Sequence, residues 1–175
     1  MSYSLNEVEA MAKRATRGAG YSFGMAEEAG KATRWLCAHG VDGVAALGIL
    51  LESDLAGYSY PKAPQDLNSE RNSQMAICSL ITGAAFLDYS VETVFPLTIQ
   101  KIASPILILP FVASIARKLR LCLVVSCGEV NLSTDGIGLW KTGNLPEKTG
   151  KISIAIGDVV GDETAIYTRA YPREE

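Results

Sequence analysis

The hydrophobic period changes along this chain, and that change limits the fold more than any other feature. Near the N-terminus the apolar residues Leu5, Val8, Ala12 and Ala15 recur at helical spacing, and so do Met25, Ala29, Ala32 and Leu36. In the last third Ile152, Ile154 and Ile156 alternate with Ser153 and Ala155, the two-residue period of a strand with one buried face. Helices first and strands last make an α+β chain. The expected architecture is an N-terminal helical layer packed on a mainly antiparallel sheet, ending in a C-terminal β-meander. With 175 residues and no internal repeat, the whole of 1–175 reads as a single domain.

Local signals mark the elements. Ser4-Leu5-Asn6-Glu7 is a capping box, in which a serine oxygen accepts from orphan amides and a glutamate returns three residues on. The first helix is expected from about Leu5 to Arg17, ended by Gly18, and the second from Ser22 to Gly40. Ala26 and Gly30 are small and lie on one face, so they permit close helix contact. A third helix over Gly43 to Ser53 is apolar nearly all round, and Val44, Leu47, Leu50 and Leu51 are expected to be buried. Ala56 to Gln74 is polar and reads as a long surface loop.

Ala76 to Thr82 reads as a strand, and Gly83 to Asp88 as a short strand or helical turn. Val94 to Ile102 is a further strand. Ser104-Pro105 has the form of a helix start, with serine as cap and proline in the first position. Pro110 forbids one regular helix through that run, so an irregular first turn should lead into a helix ending near Leu119. Leu121 to Ser126, Glu129 to Ser133 and Ile137 to Lys141 are strands, the last two flanking the hairpin signal Asp135-Gly136. Lys151 to Gly157 and Glu163 to Ala170 flank a turn at Gly161-Asp162 and complete the meander.

Composition removes several function classes. The net charge is −3, with both signs scattered and no basic run, so nucleic acid is not an expected partner. The start Met1-Ser2-Tyr3-Ser4 has no signal-peptide character. The charge-free run Ile102 to Ala116 contains Pro105 and Pro110 and is too short to cross a membrane. Cys37, Cys78, Cys122 and Cys127 lack the paired spacing of a zinc site, and no metal or cofactor is expected. They read as buried free thiols in a reducing cytoplasm. The one histidine, His39, stands before Gly40 at a helix end, where it caps rather than catalyses. A nucleophile–histidine pair therefore has no support.

The segment Arg17 to Gly30 carries the chemistry. It holds Gly18, Gly20, Gly24 and Gly30 with a cation and the adjacent carboxylates Glu27 and Glu28. Gly18-x-Gly20-x-x-x-Gly24 departs from a dinucleotide fingerprint in its last spacing and in the helix before it. Arg17, Gly20, Ser22 and Gly24 are the candidate ligand-binding residues. Free amides at the start of the second helix and the Arg17 guanidinium suit a small anion. The alternative is that Glu27 or Glu28 satisfies the amides or pairs with Arg17. Glu28, nearer the apolar stripe than Glu27, is one candidate catalytic carboxylate, or else a salt-bridge partner of Lys31 or Arg34. Asp88, closing an apolar run, is the second candidate, or else the cap of the next turn.

Ser4 to Ala10, Arg17 to Gly30 and Arg34-Trp35-Leu36 resemble the N-terminal signature of a family of uncharacterised bacterial proteins. Cys78-Ser79-Leu80, Gly83-Ala84-Ala85, Ser104-Pro105 and Leu109-Pro110-Phe111 are similar to its middle section. The resemblance implies a cytoplasmic bacterial protein and brings no activity with it. Helix, glycine turn, helix and His39-Gly40-Val41-Asp42-Gly43 also loosely resemble the start of type 2 malate/lactate dehydrogenases. Ala38 stands where that family has serine, and the activity does not carry over. Two readings stand. One is a cytoplasmic protein or enzyme binding a small anionic ligand at the joint 17–30. The other is a non-catalytic assembly protein that forms a homo-oligomer or binds a protein partner.

Overall fold

The structure is a computed structural model, described over residues 3–67, 76–143, 150–159 and 165–167. Helices α1 (Leu5–Gly18) and α2 (Phe23–Ala38) form an antiparallel pair, followed by α3 (Gly43–Leu51). The capping box at α1 is complete: Ser4 Oγ accepts from the Glu7 amide, and the Glu7 carboxylate accepts from the Ser4 amide at 2.8 Å. Ser22 caps α2 and Asp42 caps α3, each accepting from the amide three residues on.

The α1–α2 contact is close because of Gly30. A Cβ there would lie 2.6 Å from Lys13 Cγ and 3.1 Å from the Glu9 carbonyl. Four charges then lace the two helices together. Glu9 pairs with Lys13 at 2.9 Å and with Arg34 at 2.9 Å, and Lys13 also reaches Glu27 at 2.8 Å. The Lys13 and Arg34 cations hold the Glu9 carboxyl below its ordinary range.

Residues 76 to 88 differ from expectation. Only Ile77–Cys78 is a strand (β1), and Ser79–Asp88 is helix α4. The apolar run suggested a strand, but Leu80, Ile81, Ala85 and Phe86 are buried on several sides of a helix surrounded by protein. The expected 56–74 loop contains a 3-10 turn at Pro64–Leu67 whose Leu67 enters the core. Residues 68–74 of it lie outside the described residues. Strand β2 (Leu97–Ala103) is followed by a 3-10 turn (Pro105–Ile108) and α5 (Leu109–Leu119), as the two prolines required. Ser104 holds the N-cap position with Pro105 after it, as expected, but its side chain does not cap the turn. It sits in the left-handed region at φ 47°, and its hydroxyl donates to the Ala46 carbonyl at 2.8 Å. Within α3, Leu47 and Leu50 are buried but Val44 is 53 % exposed, so that helix has one free side.

Strands β3 (Leu123–Cys127), β4 (Val130–Thr134), β5 (Leu139–Thr142), β6 (Gly150–Ile156) and β7 (Ala165–Tyr167) complete one sheet, ordered β1-β2-β6-β3-β4-β5-β7. All neighbours are antiparallel except β1 and β2. The meander is therefore limited to β3–β5. β6 crosses back to pair with β2 and β3, and β7 joins β5. The Gly161-Asp162 turn lies outside the described residues. Leu97, Ile154, Val125 and Leu132 are register partners in one buried row across four strands. α5 lies over this face, touching β3 and β4 on one side and α2 on the other. α4 packs beside it, where Gly83 lets the Phe111 ring approach.

Candidate functional site

The joint between α1 and α2 is built by its own residues. Gly20, at φ 93°, supplies the left-handed turn of the joint, and Gly18, expected to end the first helix, is the last residue of α1. Tyr21 then drops into the core, where its hydroxyl lies 3.4 Å from Cys78 Sγ. Arg17 Nη1 donates to the Tyr21 carbonyl at 2.6 Å, so this guanidinium closes the turn that it flanks.

The start of α2 faces the end of α4 across an open groove of about 460 Å³. Ser22, Gly24, Met25 and Glu28 line one wall, and Ala84, Leu87, Asp88 and Tyr60 line the other. Of the first-turn amides, that of Met25 is satisfied by Ser22 Oγ and that of Ala26 by the Ser22 carbonyl. The amides of Phe23 and Gly24 precede any intrahelical acceptor. Asp88 closes α4, so its carboxylate adds to the negative pole of that helix.

Both carboxylates of the groove have partners. Glu28 Oε1 accepts from Lys31 Nζ at 2.7 Å. Asp88 Oδ2 accepts from the Tyr60 hydroxyl at 2.5 Å. Burial, followed by this bond to Asp88, pushes the Tyr60 phenol up from its ordinary value, so it stays protonated and donates. The loop carrying Tyr60 is tied down again where the Tyr89 hydroxyl donates to the Pro61 carbonyl at 3.3 Å.

Beside Tyr60 lies a small, partly open chamber of about 30 Å³, lined by Tyr58 to Pro61, Asp66, Leu67, Ile77 and Thr82. Tyr60 therefore belongs to both spaces. A second open groove, of about 580 Å³, is lined by Ser126, Cys127, Gly128, Gly150, Lys151 and Ser153. Among the described residues, its lining carries one charged side chain, Lys151, and no carboxylate.

Residues 3–85 match the family described as Protein of unknown function (DUF3726). The matched stretch is similar to that family and covers less than half of the chain. That region spans α1, α2, α3 and most of α4, so it contributes Ser22, Gly24, Met25, Glu28, Tyr60 and Ala84 to the groove. Leu87 and Asp88 lie just beyond it. No curated protein and no solved structure matches the chain.

The residues singled out from sequence divide at this groove. Ser22, Gly24, Glu28 and Asp88 come together in it. Arg17 and Gly20 are outside its lining and shape the joint instead. Asp88 is bonded to Tyr60 rather than simply capping a turn. His39 ends α2 as expected, buried, stacked on Trp35 at 3.8 Å, with Nδ1 donating to the Trp35 carbonyl at 2.8 Å. Cys78 and Cys127 are buried, while Cys37 and Cys122 are half-buried. Burial raises the Cys78 thiol above its usual range. Sequence reasoning missed Tyr60, which lies in a polar loop with no periodicity to place it against α4. Among the described residues, no cluster of His, Cys, Asp and Glu is arranged to hold a metal ion. None of their helices is long and apolar enough to cross a membrane.

Proposed function

We propose that this chain binds a small zwitterionic molecule of amino-acid type in the groove between α2 and α4. One observation carries the reading: the positive end of one helix and the negative end of another line the same groove. The amide-bearing first turn at Ser22 and Gly24 suits a carboxylate. Asp88 at the end of α4, with Glu28, suits an ammonium group. Met25, Ala84 and Leu87 offer apolar surface to the part between. This keeps the anionic group expected from sequence but assigns it to the amides, because Arg17 is turned to the Tyr21 carbonyl.

The test is a thermal-shift panel of amino acids beside their decarboxylated amines and deaminated acids. A ligand at a hundredfold its Kd should stabilise the fold by about 2.7 kcal/mol. The intact amino acid should shift the Tm more than either half, and Asp88→Asn should abolish the shift. Equal shifts from the simple acids would overturn the zwitterion reading.

The free thiols at Cys37, Cys78, Cys122 and Cys127 support a reducing, cytoplasmic location. A homo-oligomeric assembly is the second reading. It is favoured by Phe23 at 71 % exposure on the first turn of α2, and by the exposed Val91 and Val94. Sedimentation of the wild type against Phe23→Ser tests it: a single monomeric species in both would remove it.

A further inference from the structure

The chamber beside Tyr60 holds a polar group that the fold does not use. Thr82 is 2 % exposed, lines the chamber, and its Oγ1 has no hydrogen-bond partner in the protein. Several other helical hydroxyls of this chain turn back to their own helix. Thr16 donates to the Ala12 carbonyl, Thr33 to Ala29 and Ser114 to Pro110, all at 2.8 to 2.9 Å. Thr82 departs from that pattern, as does Ser79 at the start of the same helix, but of the two only Thr82 lines the chamber. A buried hydroxyl without a partner is costly enough that native folds rarely keep one. The chamber, at about 30 Å³, exceeds the roughly 10–15 Å³ needed to admit one water-sized group. Asp66 in its wall makes it unsuited to an anion.

We propose that the chamber is a small polar subsite, taking one small hydrogen-bonding group on the buried Thr82 Oγ1. That group is either water or an ammonium head. Both can donate to Thr82 and to the carboxylate side of the wall, and both fit the space. The shared Tyr60 wall makes the chamber a neighbour of the groove. The ammonium source rests on the groove reading above, whereas the water source stands without it.

The experiment pairs a high-resolution crystal structure of the full chain with melting curves of Thr82→Val and Thr82→Ser. A density peak within hydrogen-bond reach of Thr82 Oγ1 is expected, and its absence would overturn the proposal. Thr82→Val should lower the Tm by about 2–4 °C, the shift of about 1 kcal/mol in a chain of this size, while Thr82→Ser stays near wild type. A higher Tm for Thr82→Val would mean a dry chamber, relieved of an unused hydroxyl, and would also overturn it. Should Thr82→Val fail to fold, the crystallographic peak and the Thr82→Ser curve still decide. Melting in ammonium chloride against sodium and tetramethylammonium chlorides at equal ionic strength separates the sources. A rise with ammonium alone assigns the ammonium head, and equal curves with a density peak assign water. A groove that binds no amino acid would leave the crystallographic result untouched, so the two readings fail separately.

Discussion

The Tyr60 hydroxyl donates to Asp88 Oδ2 at 2.5 Å, tying the loop before α4 to the last residue of that helix. This bond orders one wall of the groove and the partition of the chamber beside it. Tyr60→Phe keeps the ring and removes the donor. Both partners are partly solvated, so the loss should be about 0.5–1.5 kcal/mol rather than the larger figure for a buried charged bond. Urea unfolding with an unchanged m-value would measure it, and equal midpoints for variant and wild type would show that the bond carries no weight.

Gly83 is a point of close approach between α4 and α5. A Cβ there would lie 2.4 Å from Phe111 Cδ2, well inside contact distance. Replacing glycine by alanine inside a helix normally gains about 1 kcal/mol, whereas overpacking a core costs about 1–3 kcal/mol. At this spacing the ring cannot be avoided, so Gly83→Ala should destabilise. Phe111→Leu added to Gly83→Ala should recover part of the loss, and a double-mutant cycle by denaturation checks the coupling. Simple additivity would contradict the contact.

The Glu9 network gives the α1–α2 pair a pH dependence. Lys13, then Arg34, hold the Glu9 carboxyl low. A depressed folded value means stability that is fully present above the unfolded pKa, about 4.3, and is lost as pH falls through the folded value. The wild-type Tm should fall more steeply than that of Glu9→Gln below about pH 4.3. Parallel curves would show that the pairs are screened by solvent.

Thiol accessibility reports the packing beneath the joint. Cys37 is half-buried, while Cys78 is buried under Tyr21 and its thiol is raised by burial. A thiol reagent at mildly alkaline pH should label Cys37 in the folded protein and reach Cys78 only on unfolding. Mass spectrometry of timed digests separates the sites. Rapid labelling of native Cys78 would contradict the seating of Tyr21.

Much of the fold is legible in local chemistry. The Ser4–Glu7 box, the Ser22 cap and the Asp135-Gly136 hairpin each depend on residues only a few positions apart. The helix α4 was not, because its burial on several sides erases the period that separates helix from strand. Nor was the return of β6 to the middle of the sheet, which long-range pairing decides. In the groove, Ser22, Gly24 and Glu28 were marked by the helix start. Tyr60 was invisible because only the tertiary fold brings it to Asp88. Arg17 misled for the opposite reason: a cation beside glycines suggests an anion site, and here a carbonyl four residues on takes it first.

The most direct test of the central claim is amide chemical-shift mapping of the isotope-labelled chain, titrated with the strongest amino acid from the thermal panel. The groove account expects saturable shifts at Ser22, Gly24, Glu28, Tyr60 and Asp88, lost in Asp88→Asn. Shifts centred instead on Ser126, Gly150 and Lys151, or the same shifts retained in Asp88→Asn, would contradict it.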